Sequence, residues 1–174
     1  MNTNVSIIKT RKKDAEILRE MAITTFRESH GHSASTEDIG EYINAKFTLE
    51  NIEGELSDDS NVFHLVYVNE ELAGYSKIIY NTAYENLTKV NSTKLERLYV
   101  LEKFHDLKIG KQLMDFNLNL AKQNAQSGIW LYVWTENYRA IRFYQNYGFQ
   151  QIAETNFQIS VQHSNPNWIL SMEF

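Results

Sequence analysis

Two stretches of this chain hold residue types and spacings that could do chemistry. The first, LYVLEKFHDLKIGKQL at 98–113, passes from a strand-like run through a turn into a helical pattern. A helix start leaves backbone amides without internal acceptors, and the helix dipole favours an anion there. Gly110 would let a ligand approach the backbone, and Lys108 and Lys111 add positive charge beside it. The same glycine also suits simple packing or a turn, and spacing alone leaves both readings open. Neither the P-loop pattern nor the dinucleotide glycine fingerprint is present.

The second stretch, WTENYRAIRFYQNYGF at 134–149, follows a strand-like run. Asn137 either caps a short helix or touches a ligand. Tyr144 either holds a proton for transfer or packs as one ring among Phe143, Tyr147 and Phe149. Upstream, Glu96 precedes Leu98 by two positions, so strand alternation places both on one face. A carboxylate there would bind a cation, accept a proton, or form a surface charge beside Arg97. His30 and His32 either line an acceptor pocket or belong to a turn, and their spacing gives no full zinc-ligand set, so no metal is expected. The chain has no cysteine, which excludes a disulfide, a thiolate metal site and a cysteine nucleophile.

The elements that must position these residues read as follows. Val5 and Ile7 suggest a first strand. A helix begins near Arg11 with Thr10 as its cap, and Ser35 with Asp38 forms a capping box for a second. A third short helix spans about 49–56. Strands follow at 62–68, 72–80 and 94–100, the first two joined by NEE. A helix then precedes the strand IWLYVW, Asn137 opens another helix and Gly148 ends it. Residues 149–161 and 167–174 give two closing strands divided by QHSNP. This order predicts one α/β domain over 1–174, with a mixed central sheet flanked by helices.

Composition narrows the function classes. The formal charge of −5 and the lack of an extended basic stripe argue against nucleic acid. No run reaches the roughly 20 apolar residues that span a bilayer, so no membrane role and a cytoplasmic location are expected. Acidity concentrates in 28–59, where nine carboxylates meet Lys46 alone. That segment is either a solvated helical surface or an attractor for a cationic substrate.

Together the two chemical stretches resemble the GCN5-related N-acetyltransferase (GNAT) family. The family's phosphate loop, Arg/Gln-x-x-Gly-x-Gly/Ala, falls on His105-Asp106-Leu107-Lys108-Ile109-Gly110. The last position matches, whereas His105 and Lys108 replace the first residue and the middle glycine. The later pattern N-x-x-A-x-x-F-Y-x-x-x-G-F is complete. ITTFRESHGHSAS, ELAGYSKI, LERLYV and the stretch ending NYGF are similar to PaiA-type polyamine acetyltransferases.

The resemblance implies direct acetyl transfer from acetyl-CoA to a primary amine in a ternary complex, with spermidine or spermine as preferred acceptor. It implies Tyr144 as proton donor to the departing thiolate and Glu96 as proton acceptor or amine-orienting group. Leu98, Tyr99, Val100, residues His105, Asp106, Leu107, Lys108, Ile109, Gly110 and Lys111, and Asn137 would hold the cofactor. Glu28, His30, His32, Glu37, Glu41 and Glu55 would meet the acceptor. A homodimer is compatible with the resemblance. A peptide or protein N-acetyltransferase and a noncatalytic CoA-binding regulatory module are the alternative readings.

Overall fold

The computed structural model describes residues 4–174. The strands are β1 (Val5–Lys9), β2 (Asn61–Val68), β3 (Glu71–Ile79), β4 (Ser92–Val100), β5 (Gly128–Trp134), β6 (Gln150–Gln158) and β7 (Ser164–Glu173). The helices are α1 (Ala15–His30), α2 (Thr36–Lys46), α3 (Leu49–Ser57), α4 (Ile109–Gln123) and α5 (Tyr138–Asn146). All seven strands form one sheet in the order β1-β2-β3-β4-β5-β7-β6. The expected mixed sheet flanked by helices is therefore present.

One pairing creates the site. β4 and β5 are parallel and pair only where Ser92–Lys94 meets Gly128–Trp130. Beyond that point β4 stays on β3 up to Val100, and β5 stays on β7 up to Trp134. The two strands separate like the arms of a V, and each leaves one unpaired backbone edge toward the gap.

Two apolar layers hold the arms. On one face α1, α2 and α3 bury Leu18, Phe26, Ile39, Ile43 and Ile52 against Phe63 and Tyr75. On the other, Ile109, Leu113, Met114 and Leu118 of α4 pack under β3, β4 and β5. Burial of that kind contributes about 25 cal/mol per Å² of apolar surface, so the helices fix the strand ends firmly.

Local chemistry explains most boundaries. The Ser35 hydroxyl accepts from the Asp38 amide at 3.1 Å and starts α2. Gly148 takes φ +97° just after α5, where side chains other than glycine are strained. The β2–β3 hairpin turns on Asn69 and Glu70, both at positive φ, so it forms the mirror-image turn without glycine. Three expectations change. Thr10 is buried with its hydroxyl unpartnered, and a 3-10 turn at Lys12–Asp14 precedes α1, so Thr10 is not a cap. Pro166 lies inside β7 opposite Asn156, and the turn falls earlier than QHSNP suggests. Between β3 and β4 the register slips, so that the neighbours Lys77 and Ile78 of β3 face Arg97 and Leu95 of β4. Glu96 is the extra residue of a β-bulge.

Candidate active site

The gap between β4 and β5 opens into a cavity of about 740 Å³. Its walls include Glu96, Leu98, Tyr99 and Val100 from β4, Leu131–Trp134 from β5, and Tyr144 from α5. Lys108, Gly110 and Lys111 line it from the start of α4, and Glu28, His30 and His32 line it from the end of α1 with Phe26 and Tyr42. The cavity thus brings together most of the residues singled out in the sequence.

The loop end is built to receive an anion. No side chain caps α4, so the amides of its first turn point into the cavity region without a capping partner. A Cβ placed on Gly110 would meet no atom within 4 Å, which leaves open space over the helix start. Lys108 adopts the left-handed conformation, φ 57° and ψ 26°, at the loop's middle glycine position. That is the conformation glycine takes at least strain, so the backbone shape of the motif survives without its residue. The side chains of Asp106 and Leu107 form no wall of the cavity, and Ile109, the first residue of α4, is fully buried in the core. These three contribute backbone or packing, not side-chain contacts.

His105 takes the place of the motif's cation and acts locally. Its Nε2 lies 2.8 Å from the Val100 carbonyl, and its Nδ1 faces the Arg139 guanidinium. The carbonyl requires a donor and the guanidinium requires an acceptor, so the ring is the neutral Nε2–H tautomer. Arg139 also lines the cavity. Sequence reasoning missed it, although its place between Asn137 and Ala140 on a short helix was the available signal. Asn137 caps α5, its Oδ1 accepting from the Ala140 amide at 3.1 Å. Its side-chain nitrogen keeps its donors for a ligand.

Tyr144 is buried between Phe143 and Phe149 and reaches the cavity. Burial raises its pKa, and nearby Tyr99 acts in the same direction, so the phenol stays protonated. Glu96 differs from the parity expectation. Leu98 faces Ser76, whose hydroxyl donates to Asn117 of α4 at 3.2 Å. Arg97 faces the other side, where it grips Glu55 of α3. The bulge turns Glu96 to the Arg97 side, so Glu96 and Leu98 lie on opposite faces of β4. Lys94 Nζ is 2.5 Å from Glu96 Oε2, without the alignment of a hydrogen bond. Burial pushes the Glu96 carboxyl upward, but Lys94, Lys77 and Arg97 together hold it below the ordinary carboxylate value.

The α1 side of the cavity corrects the acidic-segment reading. Glu37 and Glu41 are exposed on α2 and line no part of the cavity. Glu55 is occupied by both nitrogens of Arg97 at 2.9 Å and by Lys77 at 3.2 Å. Among these glutamates only Glu28 reaches the cavity, and its Oε2 accepts from the Glu102 amide at 3.0 Å. Glu102 and Glu136, overlooked in the sequence, also line it. The aromatic rings of Phe26, Tyr42, Phe47, Tyr99, Trp134 and Phe157 also line the cavity, beside the polar Thr25, Ser29, Asn165 and Asn167.

Comparison with known proteins agrees with this geometry. The sequence pattern of the acetyltransferase (GNAT) family matches residues 16–149. An uncharacterized N-acetyltransferase in the pepI 3′ region of Lactobacillus delbrueckii subsp. lactis is 28% identical over 155 residues, 89% of this chain and 90% of that protein. The PaiA N-acetyltransferase from Thermoplasma acidophilum, solved in complex with coenzyme A, is similar with a TM-score of 0.78 at 22% identity, covering 98% of this chain and 99% of that one. The ribosomal-protein-S18-alanine N-acetyltransferase from Escherichia coli is similar with a TM-score of 0.69 at 12% identity, covering 98% and 94%. At these identities the solved structures carry the fold and leave the acceptor unassigned.

Proposed function

The chain belongs to the acetyltransferase (GNAT) family, and we propose that it transfers acetyl from acetyl-CoA to a primary amine, with spermidine or spermine as the acceptor. The observation that carries this reading is the separation of β4 from β5 over an uncapped helix start, with a protonated Tyr144 in the same cavity.

The residues present fit the cofactor. The open space over Gly110 suits a pyrophosphate against the first-turn amides of α4, with Lys108, Lys111 and Arg139 around it. Asn137 would hold the pantetheine arm with its free amide donors. Bound acetyl-CoA supplies an activated acetyl thioester. The unpaired edge of β4 near Leu98 offers a backbone N–H to the charge that develops on the carbonyl oxygen. Tyr144 holds a proton on its hydroxyl for the departing sulfur, and the proton that the attacking nitrogen gives up as the amide forms returns through water to the phenolate.

The amine must attack with its lone pair free. Glu96 is ionised and held by Lys94, so it serves as an anionic partner for the ammonium rather than as the base that strips it. The amine loses its proton to water on entering the aromatic end of the cavity, where burial disfavours its charged form. Polyamine chemistry fits the walls that remain. Glu28, Glu96, Glu102 and Glu136 come from four separate segments and suit spaced ammonium groups. The rings between them suit methylene stems and cation–π contact.

An acetyl-CoA consumption assay across spermidine, spermine, amino acids, aminoglycosides and peptides tests the proposal, with the product identified by mass. Acetylated spermidine or spermine is expected. Turnover confined to peptides would reject the acceptor class. Cofactor binding without turnover on any amine would favour a regulatory CoA-binding module.

A further inference from the structure

The steps above leave one ring of the acceptor end without a task. His30 is the last residue of α1 and lines the cavity. Its ring stacks on Phe26 at a centroid distance of 4.8 Å, meets Tyr99 edge-on at 6.1 Å and lies 6.4 Å from Trp134. Those three neighbours come from α1, β4 and β5, so the orientation of the ring is set by the same strands that form the cleft.

The tautomer is fixed by a short chain of hydrogen bonds. Nδ1 of His30 lies 2.7 Å from the Ser29 hydroxyl oxygen. Ser29 has a single proton, and the Thr25 carbonyl receives it at 2.7 Å. Nδ1 therefore carries the ring proton and donates it to Ser29. Nε2 is left as a lone pair that no protein donor meets among the described residues.

We propose that His30 Nε2 accepts a hydrogen bond from an N–H of the acceptor amine and orients that nitrogen toward the thioester. This assignment rests on the acetyl-transfer reading of the cavity. The ring is an acceptor only, so it recognises a donor and gives no partner to a carboxylate or a phosphate. Titratable groups also face this end: Glu28 and His32 from the α1 end, Tyr42 from α2, and Glu96 and Tyr99 from β4. Burial lowers the His30 pKa to about 4, with His32 adding to the effect. At neutral pH the ring thus stays uncharged beside a cationic substrate and positions it without competing for its proton.

Two measurements decide the assignment. His30→Phe keeps the stacked ring and removes the lone pair. With spermidine the variant should show a KM raised about threefold to tenfold, as expected for losing one hydrogen bond to an uncharged amine. Its KM for acetyl-CoA and its thermal midpoint should match wild type. An unchanged spermidine KM overturns the assignment. The second measurement is independent of turnover: nitrogen NMR of histidine-labelled, CoA-loaded protein titrated with propylamine at neutral pH. A neutral Nδ1–H tautomer whose Nε2 resonance moves with propylamine supports the assignment. An imidazolium, the opposite tautomer, or a resonance that does not move overturns it. A moving resonance with no acetylated amine in any assay would count against the transfer reading while leaving His30 as an amine contact.

Discussion

Lys94 and Glu96 stand two residues apart on β4, on one side of the strand, with Nζ and Oε2 2.5 Å apart. Lys94 also lies over the Trp130 and Tyr132 rings of β5, at 5.3 and 5.0 Å from their centroids. The pair therefore stands where the two strands part, and Lys94 holds the Glu96 carboxylate in its charged form.

That charge leads to the first prediction. Between about pH 6 and 9 Glu96 does not titrate, because its folded value sits below the ordinary carboxylate range. Glu96→Gln should lower kcat/KM for the amine about tenfold by a factor that is constant across that window. The rising limb of the pH profile should remain, because it belongs to the amine. A limb that vanishes in the variant would make Glu96 the base after all. The sign for stability also follows. A depressed carboxylate stabilises the fold above the unfolded value of about 4, and that contribution is lost as pH falls through the folded value. Urea unfolding of Glu96→Gln should therefore show a weaker loss of stability on acidification than wild type.

Tyr144→Phe isolates the proton donor. The ring contacts with Phe143 and Phe149 survive the change, so the thermal midpoint should stay close to wild type. The kcat should fall about a hundredfold or more, the ordinary contribution of a positioned acid. Binding of CoA, measured by titration calorimetry, should be retained. A kcat equal to wild type under conditions where chemistry limits the rate would remove the assignment.

Gly110→Ala tests the anion site without disturbing the core. The added methyl meets no protein atom, and alanine is the better helix former by about 1 kcal/mol. The ligand-free variant should unfold at the same or a higher urea concentration. Its affinity for CoA should nevertheless fall, since the methyl occupies the space over the first-turn amides. Equal affinity in both proteins would place the pyrophosphate elsewhere.

Lys108→Gly tests the backbone of the same loop. The residue sits in the left-handed region, which disfavours side chains other than glycine by about 1–2 kcal/mol. Glycine should raise stability by about 1 kcal/mol after its greater unfolded-state freedom is counted. Lys108→Ala keeps the Cβ and should give no such gain. Chemical denaturation of the three proteins with equal m-values checks the comparison.

Much of the site was legible because its signals are local. Ser35 with Asp38 and Asn137 with Ala140 are capping contacts within four residues, and Gly148 ends α5 through its own backbone freedom. Tyr144 and Gly110 stand at motif positions, and the structure brings both to one cavity. What failed depended on pairing between distant segments. Alternation placed Glu96 beside Leu98, but the bulge opposite Lys77 and Ile78 reverses that parity. The acidic run at 28–59 carried no sign that Glu55 is claimed by Arg97 and Lys77, or that α2 turns Glu37 and Glu41 to solvent. Arg139, held against His105 across 34 positions of sequence, was hidden for the same reason.

A crystal structure of the protein with CoA and spermidine tests the central claim most directly. The account predicts CoA between β4 and β5, its pyrophosphate against the amides following Lys108, its sulfur within hydrogen-bonding reach of the Tyr144 hydroxyl, and an amine nitrogen on the Glu96 side. Coenzyme A bound outside that gap, or a sulfur turned away from Tyr144, would contradict it.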